Sequence, residues 1–199
     1  MFEVEDLTRS GLEPVSFSMA AGECLAVLGV SGSGKTLMLR AIADLDPNEG
    51  EVRLNGISRS SVSGPSWRRR VAYLAAEPGW WADSVAAHFD DWPAMAAAVR
   101  RLLLPEDMGE APVSRLSTGE RQRLALLRAL ERKPSVLLLD EPTAQLDAAS
   151  RDAVEAMLAE WCRDQRAALV WVSHDPAQIL RVARRRLVVE AGRVREDAA

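Results

Sequence analysis

Apolar residues recur along this chain in two rhythms, and the rhythm changes mark its elements. Strict alternation over residues 2–7 and 15–19 is the pattern of half-buried strands. Continuous apolar runs at 24–28, 71–74, 135–139, 168–172 and 187–189 predict strands buried on both faces, as in a parallel sheet. Between them lie stretches with helical spacing: 37–43, 93–104, 116–130, 148–161 and 177–182. Strands alternating with helices predict an α/β domain with a mostly parallel central sheet covered on both sides. The first two strands predict a small N-terminal antiparallel layer that feeds the strand at 24–28.

Turn residues punctuate this pattern. Ala21-Gly22-Glu23 leads into the third strand, and Asp46-Pro47-Asn48-Glu49-Gly50 stops the first helix. A short strand at 51–54 ends in the turn Asn55-Gly56. Residues 57–65 are rich in Ser and Gly and predict a loop, with Trp67-Arg68-Arg69-Arg70 a solvated approach to the next strand. From residue 78 the alternation breaks. Trp80, Trp81 and Trp92 precede helical segments, which predicts a helical subdomain inserted at about 78–130 within a single domain spanning 1–199. Residues 187–190, the turn Ala191-Gly192 and residues 193–195 read as a closing hairpin, with 196–199 frayed.

Composition narrows the function classes. A chain of 199 residues with 48% hydrophobic content suits one sizeable core. A net charge of −4 argues against a general nucleic-acid partner. Cys24 and Cys162 have neither a paired framework nor metal-ligand spacing, which suits a reducing compartment. The first residues lack a basic region and an apolar stretch, so no signal peptide is expected. No apolar run approaches a membrane span, so work at a membrane would need another chain to do the spanning.

The strand at 24–28 runs into Gly29-Val30-Ser31-Gly32-Ser33-Gly34-Lys35-Thr36, and a helix follows. This fits the phosphate-binding P-loop, G-x-x-x-x-G-K-[ST], in its required strand–loop–helix setting. Backbone amides around Ser31, Gly32, Ser33 and Gly34 would form an anion nest, with the helix dipole behind them at Lys35, Thr36 and Leu37. Lys35 is expected on the β- and γ-phosphates of a nucleotide, and the Thr36 hydroxyl on Mg²⁺. The run Leu137-Leu138-Leu139-Asp140-Glu141-Pro142 puts two acids at a buried strand's end. Asp140 there suits the Mg²⁺ shell and Glu141 the general base for an attacking water. Ser117 and Glu120 make a helix capping box, and with Gly119 the same helix start is a phosphate-seeking surface. His174 follows a buried strand, where a side chain can enter a ligand crevice. Asp147 can cap the helix that follows it, and His88 reads as structural.

The order of these motifs, P-loop, Leu116-Ser117-Thr118-Gly119-Glu120, Leu137 to Pro142, Thr143-Ala144-Gln145-Leu146-Asp147 and Ser173-His174-Asp175, resembles the ATP-binding cassette (ABC) ATPase family over nearly the whole chain. Residues 133–141 and 168–175 are similar to short bacterial subunits of the iron-export type. The resemblance implies an ABC-type P-loop NTPase fold and an ATPase that powers transport. It implies a homodimer formed on ATP binding, and a separate membrane permease that holds the chain at the cytoplasmic face of the inner membrane as a peripheral subunit. Ser117 and Gly119 would contact the γ-phosphate held by the partner copy, His174 would be the switch histidine supporting Glu141, and Asp147 would lie at the dimer seam. Two other readings stay open: a soluble ABC-class ATPase, and a nucleotide-dependent regulatory module of low turnover.

Three departures from the family pattern stand out, the mildest being Thr118 and Glu120 where the family most often has Gly and Gln. Ala76, followed by Glu77, occupies the position of the usual Gln that senses Mg²⁺ and water. No aromatic residue lies between Leu7 and Ser16 to stack on adenine, which leaves Arg9 as the candidate stacker. Trp80 and Trp81 fall where the family receives the permease's coupling helix.

Overall fold

The computed structural model describes residues 1–197. In chain order its elements are β1 (Phe2–Arg9), β2 (Leu12–Met19), β3 (Cys24–Leu28), α1 (Lys35–Ile42), β4 (Glu49–Leu54), β5 (Ile57–Ser58), α2 (Gly64–Arg70) and β6 (Val71–Leu74). There follow α3 (Ala96–Arg101), α4 (Thr118–Glu131), β7 (Val136–Asp140), α5 (Ala148–Asp164), β8 (Ala168–Val172), α6 (Pro176–Val182), β9 (Arg185–Glu190) and β10 (Arg193–Asp197).

Two sheets result. A four-stranded antiparallel sheet has the order β2-β1-β4-β5, and a six-stranded sheet has the order β10-β9-β3-β8-β7-β6. In the larger sheet β9, β3, β8, β7 and β6 are parallel, and only β10 runs antiparallel at one edge. β6 is the other edge.

The period of two along β7 explains why this sheet is the centre of the molecule. Val136 and Leu138 join a core with β1, β2 and the Met38–Leu39–Ile42 face of α1. Leu137 and Leu139 point the other way, into a core built by α4 and α5. Each helix supplies its side by spacing: Val154, Met157, Leu158 and Cys162 of α5 are buried together. A strand buried on both faces needs an unbroken apolar run, and the runs at β3, β7 and β8 are that signature.

The region before α4 is less helical than its composition suggests. α3 covers only Ala96–Arg101, and the rest is built from single 3₁₀ turns, among them Ala86–His88, Pro93–Met95 and Glu106–Glu110. Its packing is nonetheless tight, since a side chain on Gly109 would run into the Trp92 indole.

Three expectations are corrected. Residues 57–65 are not a single loop: Ile57–Ser58 pairs with β4, and α2 begins at Gly64. Ser63 caps α2 through a bond from the Ser66 amide, and Pro65 sits in its first turn. Trp67 to Arg70 are therefore helical; Trp67 is buried and its Nε1 donates to the Ile42 carbonyl at 2.9 Å. Glu196 and Asp197 are not frayed, for Asp197 pairs with Arg186 in the β9–β10 ladder. Residues 198–199 lie outside the described residues. No helix among the described residues is long and apolar enough to cross a membrane.

Candidate functional site

The P-loop leaves β3 at its C-terminal end and wraps to the start of α1. Gly29 is required there, because a Cβ would strike the Val189 carbonyl and the Ser33 hydroxyl. Gly34 caps α1 at φ 114° with no side-chain bond, so the first helical amides stay directed into the loop. Ser31 and Gly32 are exposed while Ser33, Gly34 and Lys35 are buried, so the loop's outer rim faces solvent over a fixed base. The closing hairpin fixes that base: the Gly192 amide donates to the Ser33 carbonyl at 2.8 Å, and Glu13 N–H to the Gly192 carbonyl at 2.9 Å. Leu37 lies under Gly11 on the same side.

The side chains converge around this loop. Lys35 Nζ folds back to donate to the Gly29 and Val30 carbonyls at 2.8 and 2.9 Å. Thr36 Oγ1 donates to Asp140 Oδ2 at 2.8 Å, joining α1 to the end of β7. Tyr73 Oη donates to the same oxygen at 2.9 Å. Burial and the neighbouring Asp140 carboxylate hold the Tyr73 phenol above its usual range, so it remains a donor. Asp140 is only 4% exposed.

Glu141 adopts φ 51°, a left-handed conformation that costs a non-glycine residue free energy and turns its side chain out of the sheet. Its amide donates to the Val172 carbonyl at 3.2 Å, and its Oε2 lies 2.9 Å from His174 Nδ1. His174 itself is exposed. Thr36, Asp140, Glu141 and His174 thus form two hydrogen-bonded pairs at the C-terminal ends of parallel strands, where an open α/β sheet presents its ligand crevice.

Ser117, Gly119 and Asp147 form a separate group. Ser117 caps α4 in a full capping box: Glu120 N–H donates to Ser117 Oγ, while the Ser117 amide and hydroxyl both donate to Glu120 Oε2 at 2.8 Å. The Ser117 hydroxyl bond holds the Glu120 carboxyl below the usual range. Gly119 lies against Leu146 and the Gln145 carbonyl, which ties this helix start to the loop before α5. Asp147 caps α5 by accepting from the Ser150 amide and hydroxyl, and those bonds lower its pKa. No hydrogen bond among the described residues joins this group to the P-loop.

The donor set around Asp140 fits a hard divalent cation. A hydroxyl and a carboxylate sit 2.8 Å apart, and both are oxygen donors of the kind Mg²⁺ takes. Ala76 is exposed and adds no polar side chain. Arg9 is ion-paired with Asp46, which also accepts from Arg40 at 2.7 and 2.8 Å. Those two arginines, Arg40 first, hold the Asp46 carboxyl well below its usual range.

Other features were not visible in the sequence. His88 is buried and has partners: its Nε2 accepts from the Trp81 and Ala82 amides at 3.0 Å, which leaves the proton on Nδ1 to donate to the Ser84 carbonyl. The Arg128 guanidinium lies 4.8 Å from the Trp80 ring and 4.6 Å from the Trp81 ring. Trp80 is half-buried, but Trp81 is 70% exposed. It stands at the rim of a groove of about 530 Å³ along the β6 edge, lined also by Leu45, Arg68, Arg69, Arg128 and Arg132.

A family model described as "ABC transporter" matches residues 12–144. The probable iron export ATP-binding protein FetA of Escherichia coli is 32% identical over 179 residues, covering 84% of this chain and 80% of FetA. The sulfate/thiosulfate import ATP-binding protein CysA 2 of Chromobacterium violaceum is 38% identical over 198 residues. That match covers 94% of this chain but only 54% of the relative, so the chain spans about half its length. A solved dimeric ATP-binding cassette in a post-hydrolysis state, bound to ADP and Pi, superposes with a TM-score of 0.79 at 23% identity. It covers all of this chain and 98% of its own, and shares the fold.

Proposed function

The chain belongs to the ABC transporter family as an ATP-binding subunit, and from that premise we propose that it works as a homodimer that couples ATP hydrolysis to movement of cargo through a separate membrane permease. It is an ATPase of the ABC class. The observation that carries the site reading is the convergence of Lys35, Thr36, Asp140, Glu141 and His174 on one rim of the sheet.

In this reading the P-loop amides receive the phosphates, and Lys35 exchanges its two carbonyl partners for the β- and γ-phosphate oxygens. Thr36 and Asp140 would hold Mg²⁺, which when bound would neutralise charge on those oxygens. Glu141 takes the proton of the attacking water, and His174 fixes the carboxylate and reaches the γ-phosphate. Ser117 and Gly119 serve the nucleotide of the other copy, with Asp147 at the seam. The solved cassette that shares this fold is dimeric, which supports the pairing of two copies. Before Ser117 can engage a phosphate, its hydroxyl must leave Glu120. Hydrolysis then removes the contact that holds the dimer closed, which is how turnover becomes motion.

The permease would seat its cytoplasmic helix in the groove beside Trp81, which places the chain as a peripheral subunit at the cytoplasmic face of the inner membrane. Four arginines line that groove and no carboxylate does, so the docking segment should carry acids. Metal export is the cargo reading favoured by FetA, the relative matched over 80% of its own length. The test is recovery of the membrane protein that co-purifies with this chain, and its identification. Trp81→Ala is expected to lower that recovery about tenfold, as loss of an interface anchor does, with ATP affinity unchanged. Recovery that is indifferent to Trp81, or ATP binding lost along with it, would count against docking at this groove.

A further inference from the structure

We propose that Tyr73 is a positioning residue of the metal site, whose hydroxyl holds the Asp140 carboxylate in the orientation that completes the site with Thr36. The proposal rests on the reading of Asp140 as a Mg²⁺ partner. Asp140 Oδ2 receives two donors, Thr36 Oγ1 at 2.8 Å and Tyr73 Oη at 2.9 Å. Its other oxygen takes no hydrogen bond among the described residues and is left for the metal's shell.

The two donors are not equivalent. A hydroxyl has one proton and two lone pairs. Thr36 can keep its bond to Asp140 while offering a lone pair to the cation, but it then answers to both. Tyr73 has no such second duty. It projects from β6, the strand beside β7, and Tyr73 and Leu138 are register partners two residues before Asp140. The phenol therefore reaches the end of the neighbouring strand from a fixed backbone position. Outer-shell partners of this kind orient a ligand that is otherwise free to rotate, and their loss typically costs tenfold to a hundredfold in metal affinity.

The test compares ATP affinity in Mg²⁺ with ATP affinity in EDTA, using the full chain in a Glu141→Gln background so that nucleotide is not consumed. Tyr73→Phe keeps the ring and removes only the hydroxyl. The expected result is an unchanged affinity in EDTA, which also certifies the fold, and a gain on adding Mg²⁺ that shrinks about tenfold. Asp140→Asn in the same background must also shrink that gain. If it does not, the metal reading of Asp140 fails; if Asp140→Asn shrinks it and Tyr73→Phe does not, the positioning role alone is overturned. Because Tyr73 is the only tyrosine, 3-fluorotyrosine labels this one site without any substitution. Its single fluorine resonance is expected to move when Mg²⁺ is added to the ATP-bound chain, and a resonance that Mg²⁺ leaves in place overturns the proposal.

Discussion

At the residue scale the decisive geometry is Glu141. A carboxylate placed at φ 51° is held off the strand path by its neighbours, and His174 fixes its Oε2 at 2.9 Å. Gln at this position keeps an oxygen for His174 but cannot take a proton. Glu141→Gln should therefore lower steady-state ATP turnover by about 10²- to 10⁴-fold, the usual yield of a positioned base, while ATP still binds. Turnover within a few-fold of the parent chain, measured by phosphate release, would remove Glu141 from the role of base. The motif residues of this site were legible because each has a chemical identity tied to its strand or loop. Their helpers were not. Tyr73 reaches Asp140 across 67 positions, and Arg9 reaches Asp46 across 37. Alternation and spacing report which face a residue occupies, not which distant atom its tip will meet. His88 looked isolated for a different reason: its partners are backbone amides of its own loop, which no side-chain motif announces.

At the element scale the sequence conveyed the buried strands and long helices and blurred the short pieces. β7 and β8 are unbroken apolar runs, so their existence and burial could be read directly. α2 could not be found by periodicity, because only Trp67 of its seven residues is buried. Its start signal, Ser63-Gly64-Pro65, is also loop chemistry; an N-cap serine and a first-turn proline are what decide for a helix. Ion pairs tie some of these elements together in addition to their apolar packing. Asp46, just after α1, ties Arg40 of that helix to Arg9 at the end of β1. Its carboxyl titrates below the unfolded value, held there first by the Arg40 bond, so it contributes stability that is complete above the ordinary carboxylate pKa near 4. That contribution is lost as pH falls through the lowered folded-state value. Asp46→Asn should thus be less stable than the parent near pH 7, with the gap beginning to narrow below about pH 4 and still narrowing at pH 2. Urea midpoints measured across that range check it, and a pH-independent gap would mean the aspartate acts by packing rather than by charge.

At the scale of the whole molecule, the proposed reading divides the nucleotide site between two sets of groups. One lies at the P-loop with Asp140, Glu141 and His174; the other, Ser117 with Gly119, is bonded inward to its own helix and to the loop before α5. No hydrogen bond among the described residues bridges them, and on the proposed reading a nucleotide at the first set draws the second from another copy. A site shared by two copies has a direct consequence in solution. With hydrolysis blocked by Glu141→Gln, ATP should convert the chain from monomer to dimer, because two bound nucleotides then supply the contacts that hydrolysis would remove. Adding Ser117→Arg should hold it monomeric at saturating ATP: a guanidinium stem in place of the small hydroxyl fills the space the partner's phosphates need. The P-loop is untouched in that variant, so each monomer should still bind ATP. Light scattering coupled to gel filtration, read beside ATP binding, separates the outcomes. A Ser117→Arg chain that still dimerises with ATP would mean the start of α4 is not the second half of the site, and the surface that pairs two copies would have to be sought elsewhere on the molecule.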